Sequence, residues 1–398
     1  MPALDPRHLA LKASLLDKIR GNPIMAEVFA QALAEGSAEH RIMRSMTVEK
    51  VGEAIAASRI ARGAPGYEAV PGSKVHMGVF MDYETTGLDA EKDRVIQMAA
   101  ISFSFDRAGL LSFDEKIFAG FQDPGMPIPP EVQELTGITD EMVAGKSLDF
   151  DAVRPMVLDA RVFVAHNAAF DRPFAERLED AAIREAMQSR GWLCSSSQVD
   201  WTGRGMSSAK LGLIALECGW FFGAHLADND CLAGIAVMSE PGEPEPQKTD
   251  SQIAETGQAT ENSNEAPSIV LSDAFNEMLR AGSLATHRVW AKDAPFEAKD
   301  RLRTRGYVWD GDARAGFKSW WKDIATLDDL IEEKLWLATE VYPKRGGEVG
   351  LADIGPRDRF SIRAWAPART EFLVRQDLKI ALAARKSEAE QPSLALSG

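Results

Sequence analysis

Residues 75–89 read V-H-M-G-V-F-M-D-Y-E-T-T-G-L-D, an apolar strand pattern that ends in two acids one residue apart, Asp82 and Glu84, and then breaks at Thr85, Thr86 and Gly87. Side chains two apart on a strand share a face, so both carboxylates project from the end of one buried strand. Like charges that close repel unless a cation lies between them. Hard oxygen ligands of this kind suit Mg²⁺ or Mn²⁺. The remainder of the chain must then supply the other parts of a metal site.

Strand patterns at 75–82, 94–105 and 112–121, joined by short turns, predict an antiparallel start to a sheet. The prolines, glycine and Thr139-Asp140-Glu141 of 127–143 read as short helices with a cap between them. The apolar run at 161–167 is a short strand leading into a stretch where Phe170, Phe174 and Leu178 repeat every four residues and Pro173 fits a first helical turn. That reading puts Asp171 at or just before a helix N-terminus, where taken alone it is more simply a cap than a ligand. Residues 192–195 predict a further strand, 207–212 the opening of a helix that ends near Gly219, and the second half of 223–238 a buried helix. His225 and Asp230 are five apart, roughly 140° around a helix. They converge only if His225 lies on the loop before that helix, and a lone histidine there is more often a surface or core residue.

A chain of 398 residues has room for two or three domains, and its 45% hydrophobic content permits a sizeable core. The formal charge of −15, from 45 basic and 60 acidic residues, argues against a protein coated in basic surface. Nucleic acid is not excluded, because local patches and bound cations matter more than the total. Cys194, Cys218 and Cys231 show no C-x-x-C spacing, which points to a reducing compartment and no zinc module. The opening M-P-A-L-D-P lacks the pattern of a signal peptide. No stretch approaches the roughly 18 apolar residues of a membrane span, so the expectation is a cytoplasmic protein with no membrane partner.

Composition divides the chain into a helical N-terminal region (1–70), an α/β domain (72–240), a disordered acidic linker (241–268), an aromatic-rich α+β module (269–345) and a basic C-terminal tail (346–398) with a helical end. Arg41, Arg44, Lys50, Arg59 and Arg62 read as a solvated helix face, with phosphate contact as the lesser alternative. Five of the nine tryptophans fall between Trp290 and Trp336, among Lys299, Arg301, Arg303, Arg305, Lys318 and Lys322. Such interleaving suits stacked bases, yet in so small a unit most of these rings must form the core.

Three motifs stand in order: D-Y-E-T-T-G-L at 82–88, H-N-A-A-F-D at 166–171 and H-L-A-D-N-D at 225–230. Over about 75–240 the chain resembles the DEDDh branch of the DnaQ-like 3′–5′ exonucleases, whose pattern is D-x-E-T-T-G, H-N-x-x-F-D and H-x-x-x-x-D. The P-I-P-P-E and T-G-I-T-D-E-M-V stretches and S-S-A-K-L-G resemble the same family. The resemblance implies an α/β, RNase H-like (DnaQ-like) exonuclease domain, flanked here by the helical N-terminal region and the small α+β C-terminal module. It also implies two divalent ions, Mg²⁺ or Mn²⁺, with Asp82 bridging both, Glu84 and Asp230 completing the first site and Asp171 supporting the second. His225 becomes the general base, a task suited to a pKa near about 6.5. Thr85 and Gly87 offer backbone contacts to the terminal nucleotide, Leu88 an apolar wedge against its base, and Asn167 a group that organises the second motif or the phosphate. Tyr83 holds the variable position of the first motif and is not the tyrosine base of the sister branch. The implied substrate is nucleic acid with a free 3′ end, DNA favoured over RNA, with a polymerase or repair protein as a candidate partner. The alternatives are an exoribonuclease, since choice of polymer depends on the 2′-hydroxyl, and a binding protein in which the C-terminal module recruits nucleic acid or a polymerase.

Overall fold

The computed structural model describes residues 44–223, 226–240, 273–343 and 346–390. The expected linker at 241–268 and most of the expected N-terminal helical region lie outside these residues. The first part begins with a two-residue strand, β1 (Arg44–Ser45), and helix α1 (Val48–Ala61). Three long strands follow, β2 (His76–Thr85), β3 (Val95–Asp106) and β4 (Gly109–Phe121), then α2 (Pro130–Thr136), α3 (Asp140–Val143) and α4 (Phe150–Asp159). After β5 (Val162–Ala165) come α5 (Ala168–Ala175), α6 (Ala181–Ser189) and β6 (Gly191–Cys194). Helix α7 (Leu211–Glu217), β7 (Trp220–Phe221), α8 (Ala227–Met238) and α9 (Ala274–Ser283) complete it.

Strands β1 and β7 pair with each other, and the other five form a sheet in the order β4-β3-β2-β5-β6. The β2, β3 and β4 strands pair antiparallel, as the short turns predicted, while β5 and β6 join parallel to β2. Strand β2 is central, and its alternation divides it between two cores. Val79, Met81 and Tyr83 face a core closed by α4, α5 and α6, whereas Phe80 faces one closed by α1, α7, α8 and α9. Helices on both faces of a sheet are the expected way to bury it. Among the described residues the Tyr83 hydroxyl meets the Met81 sulfur, at 3.8 Å, and its buried ring lies in the core, which gives it a packing role.

One expectation is corrected on the N-terminal side. Arg59 and Arg62 do not form a solvated face. The Arg59 side chain is fully buried and binds Asp106 with both Nη atoms, at 3.0 and 2.9 Å, while Arg62 reaches Asp273 at 2.9 Å. The helix they leave, α1, packs Val51 and Ile55 into the core beside α8.

A second five-stranded sheet has the order β12-β11-β8-β10-β9. Its elements are β8 (Thr286–Ala291), α10 (Lys299–Thr304), β9 (Val308–Asp310), β10 (Ser319–Ile324), α11 (Leu327–Trp336), β11 (Glu348–Ile354), β12 (Arg369–Phe372) and α12 (Arg375–Glu390). The boundaries expected at 269 and 345 both move. Helix α9 belongs with the first sheet, where Phe275 sits edge-on to Phe103 and Phe105 at 5.3 and 5.1 Å. The supposed basic tail supplies two strands of the second sheet: Val349 and Leu351 fill one core, Ala352 and Ile354 the other. Both faces of β11 are covered, so no clean polar alternation marks it as a strand. No helix among the described residues is long and apolar enough to cross a membrane.

Candidate active site

The end of β2 carries Asp82 and Glu84 on the same face as Phe80, toward α8. The pairing of β2 with β3 shifts register between Glu84 and Thr85, an irregularity that re-aims the strand end. Helix α8 comes unusually close to β2 because Gly234 stands over Phe80; a Cβ there would lie 2.0 Å from the Phe80 ring. Asp230 is one helical turn before Gly234 on the same face, so this approach delivers it to the strand acids. One carboxylate oxygen from each of Asp82, Glu84 and Asp230 lies within 4.8 Å of the others.

Asp171 comes from the opposite side. The structure corrects its expected place: it is the fourth residue of the eight-residue α5, with Asn167 at the N-cap position, and Pro173 stands inside the helix. Asp171 is 2% exposed and its Oδ1 is buried without a hydrogen-bond partner. Burial and then the charges of Asp171, Asp230 and Glu84 push the Asp82 carboxyl well above the usual range. Burial raises Asp171 likewise, against the pull of the Tyr83, Asp171 and Asn167 amides. Glu84 is pushed up to about 7 by burial and then by the charge of Asp230. Three acids whose ionised forms are disfavoured, one with an orphaned buried oxygen, together with Asp230 make an all-oxygen donor set that fits hard divalent cations.

A pH dependence follows. Raised carboxyl pKa values mean that the metal-free fold binds more protons than the unfolded chain. Their stabilising contribution is therefore present below the ordinary carboxylate range and is lost as pH rises through about 7. In EDTA the thermal midpoint should fall between pH 5 and pH 8, and Mn²⁺ should restore most at pH 8. Glu84→Gln should raise the pH 8 midpoint in EDTA, by at most about 3 kcal/mol of stability. A midpoint that is flat with pH contradicts this account.

The turn after β2 is fixed by Asp93, which the motif reading did not single out. Its carboxylate accepts from the Thr86 hydroxyl at 3.2 Å and the Asp89 amide at 2.8 Å, and it lies 2.5 Å from where a Gly87 Cβ would stand. Thr85 is buried, with its hydroxyl donating to the Gly87 carbonyl, while Leu88 is 87% exposed at the tip. Asn167 is exposed and makes no side-chain cap bond. His166 is held neutral: Nε2–H donates to the Ala209 carbonyl at 2.9 Å, Nδ1 accepts from the Ser195 hydroxyl at 2.8 Å, and burial lowers its pKa to about 4. His225 lies outside the described residues. On either side of it, Asn229 donates to the Gly223 carbonyl at 2.9 Å, and the buried Gln97 accepts from the Ala227 amide at 3.2 Å, pinning the start of α8. A glutamine interrupting the apolar run of β3 was the available signal for that role.

The family model described as Exonuclease (RNase_T) matches residues 79–238, a span that begins within β2 and ends with α8. DNA polymerase III subunit epsilon of Treponema pallidum (strain Nichols) is 32% identical over 163 residues, covering 40% of this chain and 73% of that relative. The chain belongs to the DnaQ-like exonuclease family. This exonuclease also matches the PolC-type DNA polymerase III of Lacticaseibacillus paracasei, 37% identical over 100 residues, which are 25% of this chain and 6% of that one. Among solved structures, exonuclease X in complex with 5′ overhanging duplex DNA is 20% identical, with 41% of this chain and 89% of that chain covered and a TM-score of 0.31. By its family the protein is a nuclease, and the span that the family model matches contains Asp82, Glu84, Asp171 and Asp230.

Proposed function

We propose that this exonuclease is a metal-dependent 3′–5′ enzyme of the DEDDh type that hydrolyses phosphodiester bonds of DNA from the 3′ end and releases 5′-mononucleotides, in repair, end trimming or proofreading. The observation that carries the reading is the convergence of Asp82, Glu84 and Asp230 within 4.8 Å, with the orphaned Asp171 oxygen beside them. The name of the Treponema relative, a DNA polymerase III subunit, supports DNA as the polymer and a polymerase as a candidate partner.

In this reading Asp82, Glu84, Asp171 and Asp230 hold two ions, Mg²⁺ or Mn²⁺. When bound, such ions supply positive charge against the attacking and leaving oxygens of an in-line displacement. His225 takes the proton of the attacking water as its oxygen bonds to phosphorus, the P–O3′ bond breaks, and solvent water protonates the departing O3′, so that the shortened strand leaves with its 3′-hydroxyl and the terminal nucleotide as a 5′-monophosphate. Thr85 and Gly87 hold the terminal nucleotide through the backbone of the turn that Asp93 fixes. Asn167 faces the phosphate from the start of α5. Leu88 wedges against the last base, so Leu88→Ala should raise KM by about tenfold with a smaller effect on kcat, as loss of one apolar contact implies. An unchanged KM removes the wedge.

The test is a panel of single-stranded DNA, duplex DNA and RNA incubated with Mg²⁺ or Mn²⁺. Loss of 3′-terminal nucleotides from DNA that stops with EDTA is the expected result. Faster loss from RNA makes the protein an exoribonuclease, and binding without cleavage of any polymer overturns the enzymatic reading. The basic residues of the second sheet give the binding-protein alternative little support. Arg305 and Lys322 meet Glu333, Arg301 reaches Glu340 and Arg303 meets Asp300.

A further inference from the structure

Helix α5 carries more than Asp171. The next residue, Arg172, has a fully buried side chain, and its guanidinium binds a segment nearly 190 residues away. Nη1 donates to the Arg359 carbonyl at 2.7 Å and Nη2 to the Arg357 carbonyl at 2.6 Å, while Nε donates to Glu176 at 2.7 Å. The other Glu176 oxygen accepts from the Ser361 hydroxyl at 2.8 Å, and Arg363 reaches Glu176 at 3.4 Å and the Gln188 carbonyl at 2.9 Å. Within the exonuclease domain itself, besides Glu176, Arg172 meets the Met187 and Gln188 carbonyls at 3.4 and 3.5 Å and the face of the Trp192 ring at 5.9 Å. Between the two carbonyl-bearing residues and Ser361 sits Phe360, with φ of 69° and its ring packed against the core beneath α5 and α6. A bulky residue in the left-handed region is rare and persists only where its surroundings hold it.

We propose that segment 357–363 is a strap by which the second sheet positions Asp171 for cation binding, with Arg172 as the positioning residue. This rests on the metal-dependent reading above. The physical reason is adjacency. A buried guanidinium must keep its acceptors, and here two of the short ones come from the strap. Ala168, Phe174 and Ala175 seat the eight-residue helix against the core, and Arg172 ties its other side to the strap, so loss of those acceptors shifts α5 and carries the neighbouring carboxylate with it. Polynuclear sites are sensitive to such displacement, since ligand geometry is held from outside the ligand set.

The experiment uses the full chain with two variants: Arg172→Lys, which keeps the charge and loses the fork, and the milder Ser361→Ala with Arg363→Ala, which alters only the strap. Mn²⁺ affinity is measured from the free-Mn²⁺ electron paramagnetic resonance signal, alongside the thermal midpoint in EDTA and the metal dependence of nucleotide release. The expected result is about a tenfold loss of Mn²⁺ affinity for the weaker ion in Arg172→Lys, and a smaller loss in the strap variant. The metal concentration for half-maximal rate should rise in parallel, with kcat at saturating metal largely restored. If Mn²⁺ affinity stays within about twofold of the unaltered protein in a variant that still unfolds cooperatively, even at a lower midpoint, the strap is only structural and the proposal is overturned. Should Arg172→Lys not fold, the strap variant decides alone by the same criterion. Unaltered protein that binds Mn²⁺ but cleaves no polymer refutes the proposed function and leaves the strap to be judged by the titration; absence of Mn²⁺ binding overturns both.

Discussion

Replacement of Asp82 by alanine is expected to slow release of the terminal nucleotide by about 10³-fold or more, on the order of 4 kcal/mol of transition-state stabilisation. Asp82 feels the charges of Asp171, Asp230 and Glu84 together, so it is the acid common to the whole cluster. The same substitution takes one like charge out of a buried, metal-free site, and the thermal midpoint in EDTA at pH 8 should rise. Activity lost while stability is gained marks a residue kept for its chemistry. A fall in both, measured by nucleotide release and thermal unfolding, would mean that Asp82 serves the fold instead.

Gly234→Ala should destabilise the fold and weaken the metal site together. Alanine favours a helix over glycine by about 1 kcal/mol, which in an open position makes such a change stabilising. Here the added carbon would stand 2.0 Å from the Phe80 ring, and Phe80 is fully buried. The overpacking cost of about 1–3 kcal/mol or more therefore outweighs the propensity gain. Because Asp230 is carried on the same helix face, pushing α8 outward should also separate it from Asp82 and lower Mn²⁺ affinity. Phe80→Leu in the same chain should restore part of both losses, a coupling that a double-mutant cycle measures. Additive effects of the two substitutions would show that Gly234 and Phe80 do not set the distance.

Much of this site could be read before any coordinates, and the reasons are local. The acids at 82 and 84 end an apolar strand, and the spacing of two that puts them on one face is a property of strands alone. The order of the three motifs then narrowed the chemistry, although Asp171 taken singly looked like a cap. It proved to lie within α5, because a short helix tolerates Pro173 near its end, where only one intrahelical bond is lost. What could not be read depends on partners distant in the chain. Arg59 and Arg62 show the same charge pattern whether solvated or buried, and only the arrival of Asp106 and Asp273 decides between them. The close seat of α8 depends on a glycine opposite a phenylalanine of another element. The arginines of 357–363 suggested a basic tail, whereas Arg359 and Arg363 are spent on carbonyls and on Glu176.

The central claim, a metal-dependent exonuclease working from the 3′ end through the Asp82 cluster, is tested most directly with a single-stranded DNA oligonucleotide labelled at its 5′ end. With Mg²⁺ or Mn²⁺ the account predicts a ladder of labelled fragments shortening one nucleotide at a time, absent in EDTA. Immediate release of the label as a mononucleotide, internal cleavage, or the same ladder in EDTA would contradict it.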